Sequence, residues 1–462
     1  MTKAQATGPL TEAWRDEYAR RRQIVADAVG DDAALILPAA SERIRNRDVH
    51  YPFRQDSDFS WLTGFPEPDA LAVLAPGHKG GDLILFVRPR DPERELWDGR
   101  RAGTDGAVDH YGAAKAYPLD RADRQLPKLL ANRSRVYCPF GADAAFDRRV
   151  MGWIGAVRAQ ARKGVTAPTE LVAASRVLHE LRLRKSELEL AIMRRAAQIS
   201  ADGHRLLMQT CRPGLGEQQL ERVFIDACAR HGGRFQAYTP IVGGGANACI
   251  LHYVENSATL RDGDLVLIDA GCELDGYASD ITRTFPVNGR FSPAQRDLYA
   301  LVLDAQRAAI DAVEPGRRWS APHKAAVEVL TTGLVKLGIL EGTLDDVPKL
   351  IKKEKYKPFY MHRTGHWLGM DVHDVGDYKQ KGKWRRLEPG MVLTVEPGLY
   401  IAPDAKAPKK YRGIGIRIED DVLVTEHGHE VLSADAPKQI DEIEALMAAA
   451  GAAEASTRKR AA

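Results

Sequence analysis

The chain has 462 residues, 44% hydrophobic and 28% charged, the balance of a globular protein too long for one ordinary domain. Its 66 basic and 63 acidic side chains leave a formal charge of only +3, which indicates neither nucleic acid nor an anionic membrane as a partner. The five widely spaced cysteines form no C-x-x-C, no apolar run approaches the ~18 residues of a membrane span, and Met1–Leu10 holds no apolar leader. A cytoplasmic chain without disulfides is the expectation.

In chain order, the first third predicts an α/β domain. A helix at Thr11–Val29 precedes an apolar strand at Ala34–Pro38, and strand-like runs follow at Ala70–Ala75, Asp82–Val87 and Arg135–Cys138. A helical pattern covers Ala142–Arg162. The stretch Lys163-Gly164-Val165-Thr166-Ala167-Pro168 then breaks the pattern and reads as an interdomain connection. The domains are set at 1–175 and 176–446, with a disordered Ala-rich tail at 447–462.

In the second domain, Ser186-Glu187-Leu188-Glu189 is a capping box that opens a helix running to about Thr210, ended by Pro213 and Gly214. A second helix, Glu217–Arg230, stops at Gly232-Gly233. Strand and hairpin patterns fill Phe235–Val287. Two helices follow at Pro293–Val313 and Ala321–Leu337, and strands return over Met391–Thr425. No short-period repeat is visible.

Chemistry is suggested where acids and imidazoles interrupt apolar strands or Gly-rich turns. Asp269 ends the run Leu265-Val266-Leu267-Ile268, a pattern of a strand buried on both faces, where a lone carboxylate would be costly. Asp280 lies eleven residues on, and a turn between Gly271 and Gly276 lets the two strands become antiparallel neighbours with both carboxylates on one face. Glu396 ends the apolar run Val392-Leu393-Thr394-Val395. Glu419 alternates with Arg417, which suggests an arginine supporting a ligand. His366 lies in His362-Arg363-Thr364-Gly365-His366-Trp367-Leu368-Gly369-Met370-Asp371-Val372-His373-Asp374, where Gly365 and Gly369 let backbone pack close to the imidazoles. Singly, these residues also read as a strand-end cap, a hairpin surface aspartate, a surface ion pair or a structural histidine. Together, three histidines and four strand carboxylates call for a metal. A set rich in oxygen, with one nitrogen and no thiolate, selects manganese, cobalt or zinc in a carboxylate-bridged pair. Two such ions about 3.5–4 Å apart can share a hydroxide and polarise a carbonyl, which suits amide hydrolysis.

These residues resemble the pita-bread metallopeptidases, and within them the aminopeptidase P (Xaa-Pro aminopeptidase) group. The stretch His362–Asp374 is similar to that group's proline-peptidase signature along its length. The likeness extends to Ile250–Asn256, the Asp269/Asp280 hairpin, Thr394–Tyr400 and Arg417–Asp421. It also takes in Tyr51–Phe59 and Leu62–Phe65, which look like the non-catalytic domain. The resemblance implies an α/β N-terminal domain plus an α+β pita-bread catalytic domain. It implies an exopeptidase that releases the first residue of peptides with proline second, by attack of a hydroxide bridging two divalent metals.

By the same resemblance Asp269 chelates one metal, His366 and Glu396 the other, and Asp280 and Glu419 bridge them. His252, His362 and His373 line the substrate site and donate hydrogen bonds to the scissile carbonyl and the leaving proline, with Arg417 and Tyr400 in support. Trp97 resembles a tryptophan lent to a neighbouring subunit of a dimer or tetramer, although packing within its own domain is an equal alternative. Arg363 and Thr364 depart from the group, where Gly and a larger aliphatic residue are common. The bulky cation beside a substrate histidine is expected to alter preference for chain length or charge. The rivals are a prolidase, which shares the fold and ligands, a metal-free pita-bread module that binds peptides or histones, and a creatinase-like amidinohydrolase. The last two lack the ligand set.

Overall fold

The computed structural model describes the backbone of residues 10–461 and side chains through residue 452. The segment Met1–Leu10, where no leader is expected, lies outside the described residues except for Leu10. Two compact units divide at Arg182/Leu183.

The first unit is built on a six-stranded mixed sheet in the order Lys115–Pro118, Leu83–Val87, Leu71–Leu74, Ala33–Pro38, Arg135–Cys138, Glu170–Ala173. Its central strands are continuous apolar runs because both faces are covered. On one face Ile36, Val73, Ile84 and Val136 pack against Leu126 and Leu130 of helix Ala122–Leu130 and against Val150, Trp153 and Val157 of helix Ala144–Arg158. Each such side chain contributes about 1.5–3 kcal/mol by leaving water. The helix Glu12–Val29 starts where Thr11 Oγ1 accepts from the Trp14 amide at 3.4 Å, and buries Trp14, Tyr18 and Val25 along one stripe. The break at Lys163–Pro168 is followed by Glu170–Ala173, which pairs in parallel with Arg135–Cys138. That break therefore lies within the first unit, as a crossover to an edge strand.

The second unit runs through two helices and a set of antiparallel strands, twice over. Helices Glu187–Thr210 and Glu217–Arg230 precede strands Ile241–Gly244, Leu265–Asp269 and Thr282–Pro286, which form one sheet in that order. Helices Pro293–Asp311 and Ser320–Lys336 precede strands Val392–Val395, Gly398–Ile401, Ile414–Arg417 and Asp420–Val424. The two strand groups meet edge on: the Glu419 amide donates to Thr282 O at 3.1 Å, and Thr284 Oγ1 donates to Arg417 O at 3.0 Å. At the first helix start, Glu189 accepts from the Ser186 amide at 2.9 Å, the capping contact expected there. The last helix spans Ile440–Ala461, so the backbone is helical across the segment expected as a disordered tail from 447.

Candidate metal centre

Strand Leu265–Asp269 pairs antiparallel with Thr282–Pro286, with Asp269 opposite Thr282. Between them lies a smaller hairpin, Cys272–Leu274 with Tyr277–Ala278, closed at Asp275 (φ 49°) and Gly276 (φ 79°). Two successive residues of positive φ are what a tight two-residue turn requires, and Asp-Gly supplies them. The turn is tighter than the Gly271–Gly276 span expected, and Asp280 sits just outside the ladder. It still comes beside Asp269: the Tyr238 hydroxyl is 2.5 Å from Asp269 Oδ1 and 2.5 Å from Asp280 Oδ1.

From the second strand group, Glu419 accepts from Thr282 Oγ1 at 2.6 Å. Arg417 donates to Asp269 Oδ2 at 2.6 Å, to Thr282 Oγ1 at 3.1 Å and to the Tyr400 hydroxyl at 3.0 Å. The arginine thus supports Asp269 directly and reaches Glu419 only through Thr282. His366 Nδ1 donates to the Trp367 carbonyl at 3.0 Å, which turns Nε2 toward Asp280 Oδ2 (3.3 Å) and Glu396 Oε1 (3.9 Å). Gly365 is needed because a Cβ there would strike the Thr394 carbonyl, and at Gly369 it would strike Asp374. The glycines therefore pack against a strand and a buried carboxylate rather than against the imidazoles. One ligand atom each from Asp280, His366 and Glu419 lie within 4.8 Å of one another.

The four carboxylates, His366, Arg417 and Tyr238 face a cavity of about 470 Å³, lined also by His252, His362 and His373 and walled by Ile241, Leu251, Val254 and Val372. His373 stacks edge-on to His366 with ring centroids 4.4 Å apart. Among the described residues neither His252 nor His373 has a hydrogen-bond partner. His362 differs: its Nδ1 is 2.7 Å from the Arg363 carbonyl, so it donates there, and its Nε2 is 2.9 Å from the Tyr400 hydroxyl. That occupies both ring nitrogens, and burial with the nearby Arg417 pushes its pKa down to about 3. Trp97 belongs to the first unit. It is 81% exposed on helix Pro92–Asp98, so the alternative of packing inside its own domain does not hold. Tyr238 and Thr282 are the residues that sequence reasoning missed.

The electrostatics test whether a metal fits. Burial, with Asp269 nearby, pushes Asp280 up despite His366. Burial also lifts Glu396 to about 7 against the pull of His366 and Arg417. Glu419 is raised well above its usual range by burial and by the other three carboxylates. Of the two arginines that line the cavity, only Arg417 pairs with a carboxylate among the described residues, and one tyrosine proton serves two carboxylate oxygens. The deficit is of positive charge amid oxygen donors, with an imidazole nitrogen aimed in. Divalent cations remove such a penalty. The donor set fits them.

Comparison with known proteins agrees. Residues 191–426 match the model of metallopeptidase family M24. The chain belongs to that family. Residues 18–137 match the aminopeptidase P N-terminal domain. A Xaa-Pro aminopeptidase of Escherichia coli is 48% identical over 445 residues, covering 96% of this chain and 99% of the relative. The solved Pseudomonas aeruginosa aminopeptidase is 56% identical with a TM-score of 0.93, covering 95% of this chain and 99% of that one. Zinc-substituted E. coli aminopeptidase P in complex with product is 48% identical with a TM-score of 0.91, covering 94% and 98%. The expected pairing of an α/β N-terminal domain with a pita-bread catalytic domain is borne out, and the chain is a metallopeptidase.

Proposed function

We propose that the chain is a Xaa-Pro aminopeptidase that releases the N-terminal residue from peptides with proline in the second position. The observation that carries the reading is the buried centre of Asp269, Asp280, His366, Glu396 and Glu419 at the base of a 470 Å³ cavity. Relatives at 48–56% identity over nearly the whole chain bear aminopeptidase names, which favours this activity over a dipeptidase. Asp269 would hold one divalent ion, His366 and Glu396 the second, with Asp280 and Glu419 between them. The oxygen-rich donors favour manganese, with cobalt or zinc as alternatives. When bound, such a pair lowers the pKa of a shared water to about 7 and polarises a carbonyl.

The protein's own groups do the rest. Arg417, tied to Asp269, Thr282 and Tyr400, keeps the carboxylates in place as charge is exchanged. His252 and His373, with no hydrogen-bond partner among the described residues, are free to donate to the scissile carbonyl and the leaving proline. With both its nitrogens engaged, His362 instead holds the wall in position through Tyr400. Ile241, Leu251 and Val254 give an apolar surface for the proline ring. No helix among the described residues is long and apolar enough to cross a membrane. Five unpaired cysteines support a reducing, cytoplasmic setting. The exposed Trp97 supports a homo-oligomer, dimer or tetramer, in which it reaches a neighbouring copy. With manganese supplied, a Xaa-Pro-Xaa tripeptide should be hydrolysed faster than a Xaa-Pro dipeptide. Activity confined to the dipeptide would make the chain a prolidase.

A further inference from the structure

One part of the cavity wall is not used by the reaction as described. Arg363 follows His362 and lines the same cavity, yet unlike Arg417 it is exposed and has no carboxylate partner among the described residues. Its guanidinium carbon lies 5.1 Å from the ring centroid of Trp384, and the Lys379 ammonium lies 4.4 Å from the same ring. Lys379 pairs directly with Trp384 in a short hairpin turned at Lys381 (φ 49°) and Gly382 (φ 76°). Stacking on an indole restrains a guanidinium while leaving its N–H edge open. Two like charges held on one ring repel each other, and an anion bound between them would remove that cost.

The rest of the cavity says which part of a peptide supplies the anion. The other charged groups of the lining are the four carboxylates and Arg417, which is already paired with Asp269. A free N-terminal ammonium is drawn toward the carboxylates and repelled by Arg363. The portion beyond proline is what remains to meet the rim. Given the aminopeptidase activity proposed above, we infer that Arg363, with Trp384 and Lys379 behind it, is a specificity-determining residue that binds an anionic group on the residue after proline. That group is an Asp or Glu side chain or the free C-terminal carboxylate of a tripeptide. Arg363 binds it through the open guanidinium edge, a geometry suited to carboxylates.

The test uses the manganese-loaded full-length enzyme and two peptide pairs. Xaa-Pro-Asp-amide against Xaa-Pro-Asn-amide reads the side-chain source, and Xaa-Pro-Ala against its amide reads the C-terminal source. At least one pair should show kcat/KM favouring the anionic peptide by about three- to tenfold, shrinking at high salt. Arg363→Gln should bring that ratio near one, Arg363→Lys should keep part of it, and Arg363→Glu should invert it. Lys379→Gln should weaken it. Because each ratio is internal to one protein sample, a loss of folded fraction cancels. Equal kcat/KM within both pairs in the wild type, or a ratio unchanged in Arg363→Gln, would overturn the inference and leave the peptidase activity standing. No turnover of any of the four peptides would overturn both.

Discussion

Glu419 and Asp420 are adjacent, both are buried, and their surroundings push them in opposite directions. Burial raises the pKa of each. Around Asp420, Arg283 and Lys438 outweigh it, and Gln306 and Ser433 donate further hydrogen bonds, so the carboxyl is held well below its usual range. Around Glu419 the nearby charges are Asp280, Glu396 and Asp269, opposed by Arg417, and its carboxyl is held well above that range. Asp420 is a structural charge whose counter-ions are all protein. Glu419 belongs to a cluster for which the protein supplies too few, and that deficit marks the place for metal. Buried charge alone does not mark function; several buried carboxylates gathered on one cavity with too few cations do.

The largest effect should come from breaking this contrast at its two ends. Glu419→Gln removes the charge proposed to bridge the two metals, at nearly constant volume, and should abolish turnover, while the metal-free protein melts no lower than the wild type. Asp420→Ala leaves Arg283 buried without its partner and should cost about 3–5 kcal/mol of stability by denaturant titration. If the two variants exchanged these outcomes, the division between balanced and unbalanced carboxylates would be wrong.

Next in size is a contrast inside the site. His373→Ala removes the donor proposed for the scissile peptide and should lower kcat by about 10²–10³ while metal content stays near wild type. His366→Ala should lose metal as well as rate. Metal analysis beside steady-state kinetics separates the two, and a His373→Ala protein without metal would reverse the assignment of the two histidines.

The smallest effect extends the balanced class to the first unit. Asp58 is largely buried, and burial pushes its carboxyl up, but the hydrogen bond with His179 and the charge of Arg182 outweigh it and hold it low. A depressed folded pKa means the pair stabilises above the unfolded aspartate value of about 3.9 and loses that contribution as pH falls below it. Wild type should therefore melt above Asp58→Asn at pH 7, with the gap closing toward pH 3. A gap that widened on acidification would contradict the pairing.

Much of this was legible in the sequence. Asp269 and Glu396 stand at the ends of apolar runs, and such placements of acids are conspicuous without any structure. The His362–Asp374 motif announces its histidines by spacing. Tyr238 was not legible, since an uncharged residue in an irregular loop carries no periodicity, and its role depends on two carboxylates 31 and 42 residues away. Nor was the engagement of both His362 nitrogens, which depends on the rotamer of Tyr400. In the fold, the central strands were found because they are apolar throughout. The edge strands Lys115–Pro118 and Glu170–Ala173 were not, because an edge strand is half-solvated and its pattern is weak. Missing the second of these made Lys163–Pro168 look like the end of a domain.

The central claim is that the carboxylate cluster works only with divalent metal, and the direct measurement is metal titration of chelator-stripped protein. Stripped enzyme should not hydrolyse a Xaa-Pro-Xaa tripeptide. Adding manganese should restore turnover, with bound metal rising to two equivalents per chain. Full turnover of the tripeptide by protein that elemental analysis finds free of metal would contradict the account.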